Sequence, residues 1–370
     1  MPNSIETEKI GKLGFGYMRL PRKDGQFDME QINKMADTFL SSGGTYFDAA
    51  YIYTGAEVAL RESVIKRHPR ESFQIASKLP LDLVDPGMSK EDLFRITMDR
   101  LGTDYIDFYL LHGIDSEGNK LAEELGAWEY LADLKAKGQI RHMGFSFHGL
   151  PDELDEILAK HPETEFVQLQ INYIDWDKPG VNARRLYEIA CEHNVPVIVM
   201  EPLLGGKLAS PDSPIAGLMR QADPGVSIAS WAFRFIAQLD MVFVTLSGMS
   251  NYEQLADNIA TYADFRPLDA EESAVIEEAV RILNSVPHIG CTECNYCKDC
   301  PSKIRIPALI GLYNSYLIHN TAINLDGAYN WETQGSGKAR DCTACGACEK
   351  ICPQKLDIID TMAKISELFD

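Results

Sequence analysis

The chain has 370 residues, 45% of them hydrophobic, and a formal net charge of −20 at pH 7. That is enough for a large domain plus a small one, and too acidic for nonspecific attraction to nucleic acid or an anionic membrane, both of which need basic patches. No apolar run reaches membrane-spanning length, and Met1 to Lys12 shows no apolar stretch behind a basic start, so the nine cysteines are expected to be reduced, in a cytoplasm.

Along the first 284 residues, short runs rich in β-branched and aromatic residues alternate with helical patterns. The runs are Leu13 to Gly16, Thr45 to Ala50, Phe73 to Lys78, Tyr105 to His112, His142 to Ser146, Phe166 to Ile171, Pro196 to Glu201 and Val242 to Ser247. They lack clean polar alternation, as strands of a parallel sheet buried on both faces do. Met29 to Ser42 carries apolar residues near helical spacing before Gly43-Gly44, Ser89 to Leu101 opens on a Ser N-cap and stops at Gly102, and Asp269 to Asn284 reads as a last helix. Eight strand–helix units predict an α/β fold, a (β/α)8 TIM barrel, over residues 1–284.

Chemistry in such a barrel projects from the C-terminal strand ends. Those ends carry Asp48 with Tyr53 five residues on, then Lys78, His112, Ser146, Gln168 with Gln170 and Asn172, Met200 with Glu201, and Gly248. Each alone has an ordinary structural reading: a solvated lysine, a core histidine, a packing tyrosine. Together they gather a carboxylate, a phenol, an ammonium and an imidazole at one mouth. A Lys ammonium lowers the pKa of a neighbouring Tyr, and an Asp can hold that Lys in place.

Residues 285–370 are expected to form a second, small, mostly helical domain, with Val286-Pro287 and Gly290 at the boundary. It holds eight cysteines in two runs: Cys291, Cys294, Cys297 and Cys300, followed by Pro301, and Cys342, Cys345, Cys348 and Cys352, followed by Pro353. Three thiolates two residues apart can wrap one face of a cubane 4Fe-4S cluster, and two runs imply two clusters. The crossed pattern of two-cluster ferredoxins would join Cys291, Cys294 and Cys297 with Cys352, and Cys342, Cys345 and Cys348 with Cys300. Zinc ribbons use two C-x2-C pairs per ion, which leaves half of each run surplus, and disulfides need an oxidising compartment. Cys191, in an expected helix from Arg184 to His193, reads as an ordinary buried thiol. Between the runs, Ile306 to Ile318 is apolar and long enough for a helix.

The barrel segment resembles the aldo/keto reductase family. The likeness is carried by Gly14-Phe15-Gly16-Tyr17-Met18, the run Phe47 to Tyr53, Ala76-Ser77-Lys78, Leu110-Leu111-His112, Gly144-Phe145-Ser146, Val167 to Asn172, Pro202-Leu203 with Gly205-Gly206, and Glu253 to Asn258. The resemblance implies a catalytic tetrad of Asp48, Tyr53, Lys78 and His112: Tyr53 the proton donor to a carbonyl oxygen, Lys78 and Asp48 tuning it, His112 orienting the substrate. It implies a nicotinamide cofactor, NADP or NAD, held by Gly16, Tyr17, Met18, Ser146, Gln168, Met200, Pro202, Leu203, Gly248, Gln254 and Asn258. Three departures stand out. Ser146 is followed by Phe147 where many members have Asn, Met200 replaces a stacking aromatic ring, and Gly248 and Gln254 stand where NADP-preferring members are often basic. The whole chain resembles iron–sulfur-bearing members with a helical ferredoxin-type tail.

The expected function is reduction of a small aldehyde or ketone, or oxidation of the alcohol, on a barrel carrying two clusters. The alternative is an electron-transfer or scaffold protein whose barrel docks a redox partner protein. Nicotinamide moves two electrons and each cluster one, so direct exchange needs a mediator. Three roles for the tail follow: stabilising only, relaying electrons to a partner, or serving a barrel that has traded nicotinamide for another cofactor.

Overall fold

The computed structural model describes residues 5–7, 10–178, 181–210, 213–285, 287–319 and 325–370. Val286, half of the expected boundary step, and Met1 to Ser4 at the amino terminus lie outside the described residues, as does the side chain of Ile318. The eight expected strands form: β1 (Leu13–Gly16), β4 (Tyr46–Asp48), β5 (Gln74–Leu79), β6 (Ile106–Ile114), β7 (Ile140–Phe147), β8 (Phe166–Gln170), β9 (Val197–Met200) and β10 (Val242–Ser247). They pair in parallel and close in the order β1-β10-β9-β8-β7-β6-β5-β4. Expected and observed ends differ by at most two residues, the scatter that fraying produces. A hairpin, β2 (Arg22–Lys23) with β3 (Gln26–Phe27), was not anticipated. Its turn is Asp24-Gly25, both with positive φ, the Asp-Gly signal of a two-residue hairpin.

Strand periodicity of two splits the barrel core into two layers. Phe15, Phe47, Ile75, Leu111, Phe145, Val167 and Val199 point outward into the helices. Tyr46, Ala76, Phe108, Leu110, Phe166, Ile198, Val244 and Leu246 fill the interior, with Ile5 and Ile10 in the same cluster. Asp48, Lys78, His112, Ser146 and Gln168 continue the inward positions one or more steps toward the C-terminal ends, so the alternation that builds the plug also delivers polar groups to the mouth.

The helices that follow these strands in the chain are α1 (Met29–Ser41), α2 (Ala56–Leu60), α3 (Lys90–Leu101), α4 (Ser116–Glu124), α5 (Ala127–Ala136), α6 (Pro151–Lys160), α7 (Ala183–Glu192), α8 (Ala216–Ala222), α9 (Ile228–Ala237), α10 (Tyr252–Ala263) and α11 (Ala270–Ser285). Their starts follow local chemistry: Asp28 caps α1 by accepting from the Gln31 N–H, and Ser89 and Asp92 form a reciprocal capping box on α3. Helix α1 buries Ile32, Met35, Ala36 and Phe39, the apolar face read from its spacing.

The chain divides into two compact units, one of Met1–Leu203 with Met219–Ala274, the other of Leu204–Leu218 with Val275–Asp370. A loop leaving β9 and most of α11 belong to the second unit. The tail adds α12 (Ile306–His319), α13 (Leu325–Glu332), α14 (Ala347–Ile351) and α15 (Ile358–Phe369). Its own core is Ile304, Ile306, Leu309, Ile310, Tyr329, Ile358, Met362 and Ile365. Tyr329 stacks on Phe369, accepts from the Ala339 N–H and donates to Asp370, tying the end of the chain down. Among the described residues no helix is long and apolar enough to cross a membrane.

Candidate functional site

At the barrel mouth the central contact joins β4 to β5. The Lys78 ammonium donates to both Asp48 oxygens, at 2.7 and 2.8 Å, and to the Ala49 carbonyl at 2.9 Å. Both side chains are buried. Burial alone pushes the Asp48 carboxyl up and the Lys78 ammonium down, and each charge pulls the other back. Three hydrogen bonds in a buried site hold the ion pair and fix the ammonium in place.

Tyr53 is carried there by a turn, its N–H bonded to the Ala50 carbonyl and its own carbonyl to the Ala56 N–H. Its ring centroid lies 5.0 Å from Lys78 Nζ, and its ring meets His112 edge-on, 6.0 Å between centroids at 85°. Asp48 and Lys78, His112, and Tyr53 on the turn after Asp48 thus meet. Desolvation and the Lys78 charge push His112 well below the usual histidine range, which favours its neutral imidazole. A neutral imidazole and a phenol beside an ammonium can both donate to one carbonyl oxygen.

Around this centre Ser146 accepts from the Gly113 N–H at 2.8 Å, which leaves its own hydrogen to give. Gln168, 3% exposed, donates to the Met200 sulfur at 3.4 Å while its side-chain oxygen is buried with no hydrogen-bond partner. A buried acceptor beside a hydroxyl donor matches the two halves of a carboxamide, so these residues fit nicotinamide despite the missing Asn. Gly16 closes against the Ser247 carbonyl; Pro202 is buried, and Leu203 and Met18 are half-buried.

Other expected cofactor residues have structural work. The Tyr17 ring is fully buried against Phe15 and Phe47 and its hydroxyl bonds Ser63 at 2.9 Å, so only its backbone remains for a ligand. Asn258 donates to the Ser247 hydroxyl at 3.0 Å, and Gln254 accepts from the Ser250 N–H at 2.7 Å, steadying the loop after β10. Gln170 and Asn172 donate to the fully buried Asp175, and Asn172 also to the Glu201 carbonyl. Cys191 is half-buried on α7 rather than fully buried, and burial still raises its thiol pKa.

Two groups were missed. Arg19 lays its methylenes over Gly248, and its carbonyl accepts from Ser250, which puts a cation beside the loop that lacks the family's basic residues. Glu57 accepts from Ser77 at 2.7 Å and from Arg100 at 3.1 Å, and Arg100 also donates to the Tyr51 carbonyl, bracing the Tyr53 turn. Neither carries a spacing signal; both act through contacts distant in sequence.

In the tail none of the eight cysteines is in a disulfide, and among the described residues no three metal-binding side chains are placed to hold a single ion. They line two cavities instead. Cys291, Cys294, Cys297 and Cys352 share one, and Cys300, Cys342, Cys345 and Cys348 share the other, with Cys297 also on its wall. Ile306 and Ile358, the first residues of α12 and α15, line both. The backbone repeats as well: Glu293 and Asn295 flank Cys294 with positive φ as Ala344 and Gly346 flank Cys345, and Lys303 and Lys355 follow the fourth cysteines in the same conformation. Such left-handed residues turn successive N–H groups inward, as anion-binding nests do. Burial, with Cys294 and Cys291 alongside, pushes the Cys297 thiol up to about 12. Four cysteines lining one cavity fit a metal cluster, whose positive charge would favour their thiolates.

Residues 12–281 match the model of the aldo/keto reductase family, nearly three-quarters of the chain. The chain belongs to the aldo/keto reductase family. Residues 290–356 of this reductase match the model of the 4Fe-4S dicluster domain. It is 28% identical over 243 residues to an aldo-keto reductase of Mycolicibacterium vanbaalenii, which covers 64% of this chain and 79% of that protein. It is also 28% identical over 222 residues to the NADPH-dependent alpha-keto amide reductase of Saccharomyces cerevisiae, covering 57% and 67%. The holo form of an aldo-keto reductase from Bacillus halodurans superposes with a TM-score of 0.59 at 25% identity, over 73% of this chain and 92% of that one. The reductase barrel thus has solved relatives along nearly their whole length.

Proposed function

We propose that the barrel reduces a small-molecule aldehyde or ketone, or oxidises the alcohol, with NADP or NAD, and that Tyr53 is the proton donor. The observation that carries this is the Lys78 ammonium, pinned by Asp48 and 5.0 Å from the Tyr53 ring centroid. Bound nicotinamide would supply the hydride. Ser146 and Gln168 would hold its carboxamide, Met200 would lie against its ring, and Pro202, Leu203, Gly248 and Arg19 would border the rest of the dinucleotide. The Tyr53 hydroxyl gives its proton to the carbonyl oxygen, Lys78 favours the phenolate left behind, and neutral His112 steadies the same oxygen. The yeast relative's use of NADPH and the NADPH complex of a Klebsiella pneumoniae aldo-keto reductase support a nicotinamide reading. Assay of NADPH and NADH oxidation against a panel of aldehydes and ketones tests it. Turnover is expected with at least one carbonyl; none with any would favour a scaffold that docks a redox partner.

The tail is proposed to carry two 4Fe-4S clusters, in a reducing cytoplasm, with crossed ligation: Cys352 completing the set of Cys291, Cys294 and Cys297, and Cys300 that of Cys342, Cys345 and Cys348. The lining of the two cavities supports that pairing. Anaerobically purified protein is expected to be brown and to hold about eight irons per chain with matching acid-labile sulfide. Stoichiometric zinc without sulfide would reject the clusters. Cys352→Ser is expected to disturb the cluster of the first run; a loss confined to the cluster of the second run would mean that each fourth ligand is local.

A further inference from the structure

One residue just after β9 stands in an unfavourable backbone conformation. Glu201 has a φ of 54°, in the left-handed region, and it precedes Pro202, whose ring further narrows the conformations open to the residue before it. A residue other than glycine stays in that region only where its surroundings hold it, and such outliers gather at ligand clamps. The neighbours of Glu201 are residues offered to the cofactor: Met200 before it, Pro202 and Leu203 after it.

What holds Glu201 comes from the loop after β8. The side-chain amide of Asn172, wholly buried, donates to the Glu201 carbonyl at 3.1 Å and to Asp175 Oδ2 at 2.9 Å. Its amide oxygen accepts from the Asp175 N–H at 2.9 Å, which closes a tight turn. Both N–H groups and the oxygen of Asn172 are therefore engaged, and the amide has one orientation open to it. Asp175, also wholly buried, takes a second hydrogen bond from Gln170 at 2.8 Å, and the Lys178 ammonium stands 3.6 Å from its other oxygen. Main-chain pairing of β8 with β9 ends just before this point: Gln170 lies opposite Met200, and the Ile171 N–H reaches the Met200 carbonyl at 3.2 Å. The Asn172 side chain carries the link one residue further, to the carbonyl of the strained residue.

We propose that Asn172, set by Asp175, is a positioning residue: a latch that holds Glu201 in its left-handed conformation and so fixes the rim of residues 200–203 for nicotinamide. The inference rests on the nicotinamide reading above and extends it to a residue outside the proposed cofactor contacts. Its physical sense is preorganisation. Released from the latch, Glu201 relaxes to ordinary backbone, the rim is mostly in other conformations, and the dinucleotide binds in proportion to the fraction that stays competent.

The test uses the full chain. Asn172→Ser keeps a hydroxyl that can accept from the Asp175 N–H but is too short to reach Glu201, so the turn survives and the latch does not. Fluorescence titration with NADPH and with NADH, in the absence of any carbonyl substrate, is expected to show both dissociation constants raised by about tenfold. Adding Glu201→Gly should recover most of that loss, because glycine takes positive φ at little cost and needs no latch. In protein isotope-labelled at its methionine methyl groups, the Met200 resonance, assigned through Met200→Leu, should move in Asn172→Ser and return toward its wild-type position in the double variant. Unchanged dissociation constants in Asn172→Ser would overturn the proposal, and so would a weakening that Glu201→Gly does not relieve, which would mark Asn172 as ordinary packing. Should the wild-type chain bind neither dinucleotide, the nicotinamide reading falls, and the Met200 resonance still decides whether Asn172 holds the rim.

Discussion

Tyr53→Phe is expected to lower carbonyl turnover by about a hundredfold to ten-thousandfold, the span that general acid catalysis supplies. The substitution removes one hydroxyl and leaves the ring, so the edge-on contact with His112 and the approach of Lys78 survive. Cofactor affinity, measured by dinucleotide titration, should hardly change, because the hydroxyl works on the carbonyl and not on the dinucleotide. Lys78→Met should lose a comparable factor, and the double variant little more than either, since both act on one proton. Steady-state kinetics of the three variants decide it. Near-normal turnover in Tyr53→Phe would end the assignment of Tyr53 and move the electron-transfer reading ahead.

The second large effect is on stability. Asp48→Ala strips the buried Lys78 ammonium of the carboxylate it is paired with, and breaking one side of a buried pair costs about 3–5 kcal/mol. The barrel of Asp48→Ala is therefore expected to unfold at clearly lower denaturant concentration than wild type. Combining Asp48→Leu with Lys78→Met removes both charges, and apolar replacement of a whole pair is often neutral, so the double variant should regain most of the loss while staying inactive. Equal destabilisation in single and double variants would mean that lost packing, not an orphaned charge, sets the cost.

Glu57 and Arg100 place a limit on how local the active site is. They brace the Tyr53 turn from α2 and α3, yet Glu57 reads in sequence as one more acid on a short helix. The Asp24-Gly25 hairpin was legible and passed over because the strands on either side are only two residues long. Tyr17 belongs to the sequence pattern that carries the family resemblance, but its ring joins Phe15 and Phe47 because the 3₁₀ turn after β1 points it away from the mouth.

By itself the sequence determined the eight strands, the two cysteine runs and the identity of Asp48, Tyr53, Lys78 and His112. Each of these is written in a short window: β-rich runs, capping residues, metal-ligand spacing, and a strand period that sends alternate residues inward. Only the tertiary structure decided which expected cofactor residues face the mouth and which steady a loop, that Arg19 lies over Gly248, that Cys352 shares a cavity with the first run, and that Leu204–Leu218 packs with the tail. Those facts depend on backbones far apart in the chain coming within a few ångströms. No local window encodes such an approach, because it is set by how the whole barrel and the whole tail fill their cores.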